Sequence, residues 1–398
     1  LQVLSITLGE FYGSGYSIRN DKNTGRHLDP IAHTLTGAAL AASGLKRATP
    51  LATAALLIGA NAPDIDVVSY FGSPFESLAF RRGWTHGVLA LAILPFAITG
   101  LILAWDRLVR RKREPAAEPA RAGPLFGLAL LAVLTHPALD WLNNYGMRWL
   151  MPFDGRWFYG DAVFIIDPWI WLGLGGALFL VHSRRAASLA GWSVFWMLAS
   201  VLVLTAGDVP LASGALWLIG VAAAFLTRRF VFAAPDPDAA ARRAVRLALG
   251  VGALYIGTLA LTDLAERSLA RAELAARGIW PVERVMIAPV AANPFAGEVV
   301  AETESAYYVG RWDWLKKPRL DLVPEPIPKR VSGPLFAAAA RTPEARRFLT
   351  WARFPYIDVE SDADGHVVSF LDARYHATGR LYGPTVNLDV DLELKSER

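Results

Sequence analysis

The chain has 398 residues, 54% hydrophobic and 19% charged, with 14 Trp and a mean hydropathy of +0.31. Soluble domains carry roughly 25% charged residues, and here the charges crowd into short runs between apolar stretches, which excludes a single soluble core and points to membrane spans joined by loops. The net charge of +4 lies mainly in basic residues beside apolar segments, which reads as membrane orientation rather than nucleic-acid binding, and the absence of cysteine excludes disulfides, thiolate ligands and a cysteine nucleophile.

Leu1–His27 has no basic start, continuous apolar stretch or cleavage site of a signal peptide and reads as an N-terminal extension, residues 1–27. Two short apolar segments follow, Thr34–Leu45 and Pro50–Ala62, then Gly87–Trp105, Pro124–Leu139, Pro168–Val181, Ala186–Thr205, Val209–Leu226 and Leu247–Leu261. At 1.5 Å per residue these approach the ~30 Å hydrocarbon thickness, the first two only as short spans. Every second loop is basic: Lys46-Arg47, Arg107 to Arg113, Arg184-Arg185, and the stretch from Arg228 to Arg243. By the positive-inside rule these loops are cytoplasmic, giving about eight spans with both termini outside. Arg81-Arg82, Arg148 and Arg156 are the exceptions.

From about Glu266 the composition changes. Strand-like alternation appears at Glu298–Glu302, Ala306–Trp312, Tyr356–Glu360, His366–Asp372 and Thr385–Leu394, and Pro334–Trp351 is helix-like. Asp362-Ala-Asp-Gly365 reads as a hairpin turn rather than a calcium loop. The expected fold is therefore an α-helical polytopic membrane protein, residues 28–264, with a C-terminal α+β extracytoplasmic domain, residues 265–398.

The polar residues within this frame gather at one face. Asp29 and His33, four apart, open the first segment; Asp64 and Asp66 lie just beyond the second; His86 opens the third; His136 and Asp140, again four apart, end the fourth. Imidazole and carboxylate at this helical spacing can clamp one ion from two points. All seven are candidate ligands for a divalent metal, one ion or two, with zinc the leading choice and manganese or iron also suited to the donors. Asp29 and Asp64 also flank helix boundaries, where an ordinary N-cap is the competing reading. His27, His182, His366 and His376 are not expected to be ligands.

Leu28-Asp-Pro-Ile-Ala-His-Thr-Leu-Thr-Gly37, Pro63-Asp-Ile-Asp66, Arg82-Gly-Trp-Thr-His-Gly87 and His136-Pro-Ala-Leu-Asp140 together resemble the YdjM-type family of predicted inner-membrane, metal-dependent hydrolases. The likeness covers Asp29–Asp167 well and the later spans by general character. The ligand order His, Asp, His, then His-x-x-x-Asp is also similar to zinc phospholipase C and the S1/P1-type nucleases. That similarity implies one ion at Asp64 or Asp66 with His86, His136 and Asp140, and a second at His33 with Asp140 bridging.

The expected activity is hydrolysis of a phosphoester in a lipid or lipid-linked substrate, at the outer face of a bacterial-type inner membrane and in contact with membrane lipids. Asp64 or Asp66 is expected as base and Arg81 or Arg82 as phosphate clamp, with Asn143, Asn144 and Asp161 as outer partners. The alternatives are a cation-binding transporter and a structural or regulatory membrane protein with a non-catalytic metal site.

Overall fold

The computed structural model describes residues 29–206, 209–376 and 383–394; the proposed extension 1–27, with His27, lies outside them. A recurrent local rule starts the helices. Asp29, Ser73, Asp167, Asp236 and Thr342 each accept a backbone N–H of the following turn, and each is followed by proline at the first helical position. There the missing N–H costs nothing and the fixed φ suits the helix.

All eight apolar segments are helical. They are α1 (Pro30–Ala42), α2 (Ala52–Asn61), α4 (Val88–Arg113), α5 (Ala122–Trp141), α6 (Pro168–His182), α7 (Ala186–Thr205), α8 (Leu211–Ala233) and α9 (Pro237–Ala276); the short α3 (Pro74–Phe80) intervenes. Among the described residues five of these, α4, α5, α7, α8 and α9, are long and apolar enough to cross a membrane. α1, α2 and α6 are shorter, so the eight-span expectation stands as a proposal. α9 runs 40 residues without a break, across the change in composition and beyond the expected boundary at 264.

Close packing of α1, α2 and α5 depends on glycine. A Cβ on Gly37 would stand 2.7 Å from the Leu56 carbonyl oxygen, and one on Gly59 2.8 Å from Ala132 Cβ. The basic loops meet at one end of the bundle: Arg121 N donates to Thr49 Oγ1, Arg246 to the Ser43 carbonyl and Arg228 to the Ser183 carbonyl. Three of the exceptional arginines are buried in the protein rather than placed at its surface, namely Arg81, Arg82 and Arg148.

The C-terminal part holds two antiparallel sheets. One contains β1 (Arg284–Val290), β2 (Asn293–Glu302), β3 (Ala306–Asp313), β4 (Leu320–Leu322) and β5 (Ile327–Pro328), with β3 pairing both β4 and β5. The other is β6 (Pro355–Asp362), β7 (Gly365–Asp372) and β8 (Thr385–Leu388). The Asp362 carboxylate accepts from Asp364 N and Gly365 N, which closes the β6–β7 hairpin. The helix expected over Pro334–Trp351 is two helices, α10 (Pro334–Ala339) and α11 (Pro343–Trp351), because Thr342-Pro343 starts a new one. β1 was not foreseen; its burial pattern is nearly continuous rather than alternating.

Candidate metal centre

Four segments converge on the group. The Asp29 cap starts α1 and sets His33 one turn inside it. α2 ends at Asn61 and passes into a 3-10 run, Ala62–Phe71, that carries Asp64 and Asp66. His86 lies just ahead of α4, and His136 and Asp140 occupy the last turns of α5.

Asp64, His86, His136 and Asp140 each offer a ligand atom, and these atoms lie within 4.8 Å of one another. His86 Nε2 is 3.2 Å from His136 Nε2 and 3.1 Å from Asp140 Oδ2. His136 Nε2 is 3.6 Å from both Asp140 Oδ2 and Asp64 Oδ1. His86 and His136 are fully buried, and Asp64, with 13% of its side chain exposed, is the member of the group that reaches the surface.

The neighbours fix which atoms face inward. His136 Nδ1 lies 2.7 Å from the Ala60 carbonyl oxygen, an acceptor, so Nδ1 carries a proton and in the neutral ring Nε2 presents a lone pair. His86 Nδ1 is 2.9 Å from Thr85 Oγ1 and 3.5 Å from Asp66 Oδ2, and the carboxylate favours a proton there. Asp140 Oδ1 accepts from Arg82 Nη2 at 2.8 Å, which turns Oδ2 toward the imidazoles. Both Asp64 carboxylate oxygens and Asp140 Oδ2 are buried without a hydrogen-bond partner.

Two facing nitrogen lone pairs and unpartnered carboxylate oxygens repel one another unless a cation lies between them. The donor set of two imidazoles and two carboxylates suits zinc and accepts manganese or iron, so the residues present fit a divalent ion.

The remaining expected residues fall into three places. His33 stacks on His136 with ring centroids 3.7 Å apart and sets Nε2 3.4 Å from Asp140 Oδ1, beside the group of four. Asp66 stands one layer out, accepting from Arg82 N at 2.9 Å. Asp29 is taken up by capping: Oδ1 accepts from Ala32 N and Oδ2 from Trp171 Nε1.

Other expected roles change in the structure. Arg81 and Arg82, expected as a phosphate clamp, are both buried, at 0% and 2% exposure. Arg82 is spent on Asp140, the Asn143 side chain and the Gly146 carbonyl. Arg81 lies 3.8 Å from Asp66 and over the Tyr70 ring. The Asp140 oxygen that faces His33, Oδ1, also accepts from the Arg82 guanidinium. Asn143 does support the group through Arg82. The Asn144 carbonyl instead accepts from Arg374, and Asp161 binds Arg267 and Arg353.

Sequence reasoning did not find Ala60 or Thr85. A backbone acceptor leaves no residue signature, whereas the Thr85-His86 adjacency is visible inside the third motif block.

Residues 28–209 match the model of the family described as YdjM inner membrane protein. The resemblance read from the four blocks is borne out over that range, beyond Asp167. The chain is also similar to the uncharacterized protein YfhP of Bacillus subtilis (strain 168), with 25% identity over 144 residues, 36% of this chain and 41% of that protein. The match thus spans less than half the length of that relative. No solved structure gives a significant match.

Proposed function

We propose that the region matching the YdjM inner membrane family makes this chain a multi-pass inner-membrane hydrolase. It holds a divalent metal at Asp64, His86, His136 and Asp140 and cleaves a phosphoester of a lipid or lipid-linked substrate at the outer face. The observation that carries this reading is the pair of imidazole Nε2 atoms facing each other at 3.2 Å beside carboxylate oxygens that have no other partner. Zinc is the preferred ion, and when bound it would supply Lewis-acid polarisation of a phosphoryl oxygen and a water acidified for attack.

The protein's own groups divide the remaining work. Asp64 is the least enclosed residue of the four, and its carboxylate is the group assigned to accept the proton of the attacking water. Arg82 locks Asp140, and Asp66 orients His86. The outer-face assignment rests on the basic loops at the opposite end of the bundle. The lipid assignment rests on exposed apolar side chains beside the group: Ile65, Val68 and Phe71 on the turn that carries Asp64, and Trp84 ahead of His86.

The test is phosphate release from phosphoester lipids by the purified full-length protein, against its His136→Ala variant. Loss of activity in the variant is expected. Full activity without His136 overturns the proposal, and metal uptake into vesicles without hydrolysis replaces it with transport.

A further inference from the structure

The C-terminal α+β part lies outside the family match, yet its core does not close without the segments that carry the metal centre. Leu78 of α3 and Tyr145 are buried members of the cluster formed by α10, α11, β6, β7 and β8. Arg347 of α11 pairs with Glu76 at 2.8 Å, and Glu76 also completes the capping box of α3, the helix that leads into Arg81 and Arg82.

The second attachment is closer to the metal group. Arg374, 2% exposed, is held by Asp372 through Nε and Nη2 and lies over the Trp351 ring at 4.4 Å. Its Nη1 donates to the Asn144 carbonyl at 3.0 Å, and Trp351 packs on Tyr145 with centroids 5.6 Å apart. Asn144 and Tyr145 lie in the turn that seats Arg82. There Asn143 Oδ1 accepts from Arg82 Nη1 at 2.9 Å and from Tyr145 N at 2.9 Å, and the Tyr145 ring lies 4.6 Å from the Arg82 guanidinium carbon. Arg82 in turn holds Asp140 Oδ1.

We propose that the C-terminal α+β unit is a positioning element of the metal centre. Arg374 holds the Asn144 carbonyl, fixes the turn that seats Arg82, and thereby sets the direction of Asp140 Oδ2. The inference rests on the metal reading of the four-residue group and adds to it a role for residues outside the family match. A rigid hydrogen-bonded chain of this kind acts on metal affinity and ligand geometry without touching the ion.

The experiment uses the full-length protein in detergent, with zinc affinity measured by chelator competition and ligand geometry by the visible absorption of bound cobalt(II). Arg374→Lys keeps the charge but loses the planar fork; it is expected to weaken zinc binding by about tenfold or more and to shift the cobalt bands. Tyr145→Leu, which removes the ring over Arg82, is the second variant and is expected to move both readouts in the same direction. Glu302→Gln, which breaks the Arg284 and Lys329 pairs in the other sheet, is expected to lower the melting temperature while leaving affinity within about twofold.

Wild-type affinity and spectrum in both Arg374→Lys and Tyr145→Leu overturn the positioning role alone. So does a loss of affinity in Glu302→Gln that tracks its melting temperature as it does in the other two. Failure of the unsubstituted protein to bind zinc or cobalt overturns the metal reading and this inference together.

Discussion

His86 and His136 present their Nε2 atoms to each other across 3.2 Å, and the Nδ1 of His136 is committed to the Ala60 carbonyl at 2.7 Å. The second contact assigns the first, since a neutral ring that donates from Nδ1 has a lone pair at Nε2. The imidazole pair therefore faces inward as an acceptor pair, with Asp140 Oδ2 3.1 Å from His86 Nε2.

Asp66 tests how far the geometry depends on groups one layer out. Its carboxylate accepts from Arg82 N and lies 3.5 Å from His86 Nδ1. Asp66→Asn keeps the shape and removes the charge, and zinc affinity is expected to fall roughly 10- to 100-fold with the protein still folded. Unchanged affinity in chelator competition would leave Thr85 as the group that orients His86.

Gly37 tests the helix contact beneath the centre. A Cβ there meets the Leu56 carbonyl oxygen at 2.7 Å and Ala60 Cβ at 3.0 Å, in the turn that supplies the His136 acceptor. Gly37→Val is expected to cost about 1–3 kcal/mol in thermal unfolding and to weaken zinc binding. Gly100→Val, in α4 where a Cβ meets nothing within 4 Å, is expected to stay within about 0.5 kcal/mol. Equal effects at the two positions would contradict the close-approach argument.

Orientation can be read with introduced cysteines, because the chain has none of its own. Glu114 follows the basic end of α4, and Asp364 sits at the β6–β7 turn; both are exposed. In intact bacterial cells an impermeant maleimide is expected to label Asp364→Cys and to reach Glu114→Cys only after permeabilisation. Labelling of both from outside would reject the proposed arrangement.

The pH response of the C-terminal part follows from Asp372. Burial works against its charge, but the Arg374 guanidinium beside it outweighs that cost and holds the carboxyl below its ordinary value. Glu302 is depressed in the same sense: burial works against its charge too, and Arg284 and Lys329 outweigh it. A carboxyl whose folded pKa is depressed contributes stability that is fully present above its unfolded value, near 4, and is lost as pH falls through the folded one. Melting of the C-terminal part is therefore expected to fall as pH drops below about 4. An Asp372→Asn variant is expected to be less stable at neutral pH and to show a shallower acid limb. A melting temperature that rises on acidification would contradict the assignment.

Much of the centre was legible because its residues sit in short local patterns. His136-x-x-x-Asp140 has the spacing of one helix turn, Asp64 and His86 lie in compact blocks at segment ends, and all four side chains meet. The apolar runs likewise located every helix that carries them. Burial was less visible. Arg81 and Arg82 read as a phosphate clamp and Arg148 only as an exception to the basic-loop pattern, yet all three are buried, because sequence does not say when a loop folds inward over its own arginines. Asp29 carried both readings, cap and ligand, and its carboxylate is engaged as a cap. The links from Arg353 to Asp161 and from Arg374 to Asn144 join positions 192 and 230 residues apart, and such pairs leave no period in the chain. The break between α10 and α11 was readable, since Thr342-Pro343 follows the same start rule as Asp29-Pro30.

The central claim is that the four-residue group holds a divalent ion. Its most direct test is metal analysis of the purified full-length protein after loading with zinc and dialysis, alongside His136→Ala. The account predicts about one equivalent or more retained by the unsubstituted chain and loss of that metal from the variant while it still inserts in the membrane. An unsubstituted protein that emerges metal-free, or a His136→Ala variant that retains the same zinc, would contradict it.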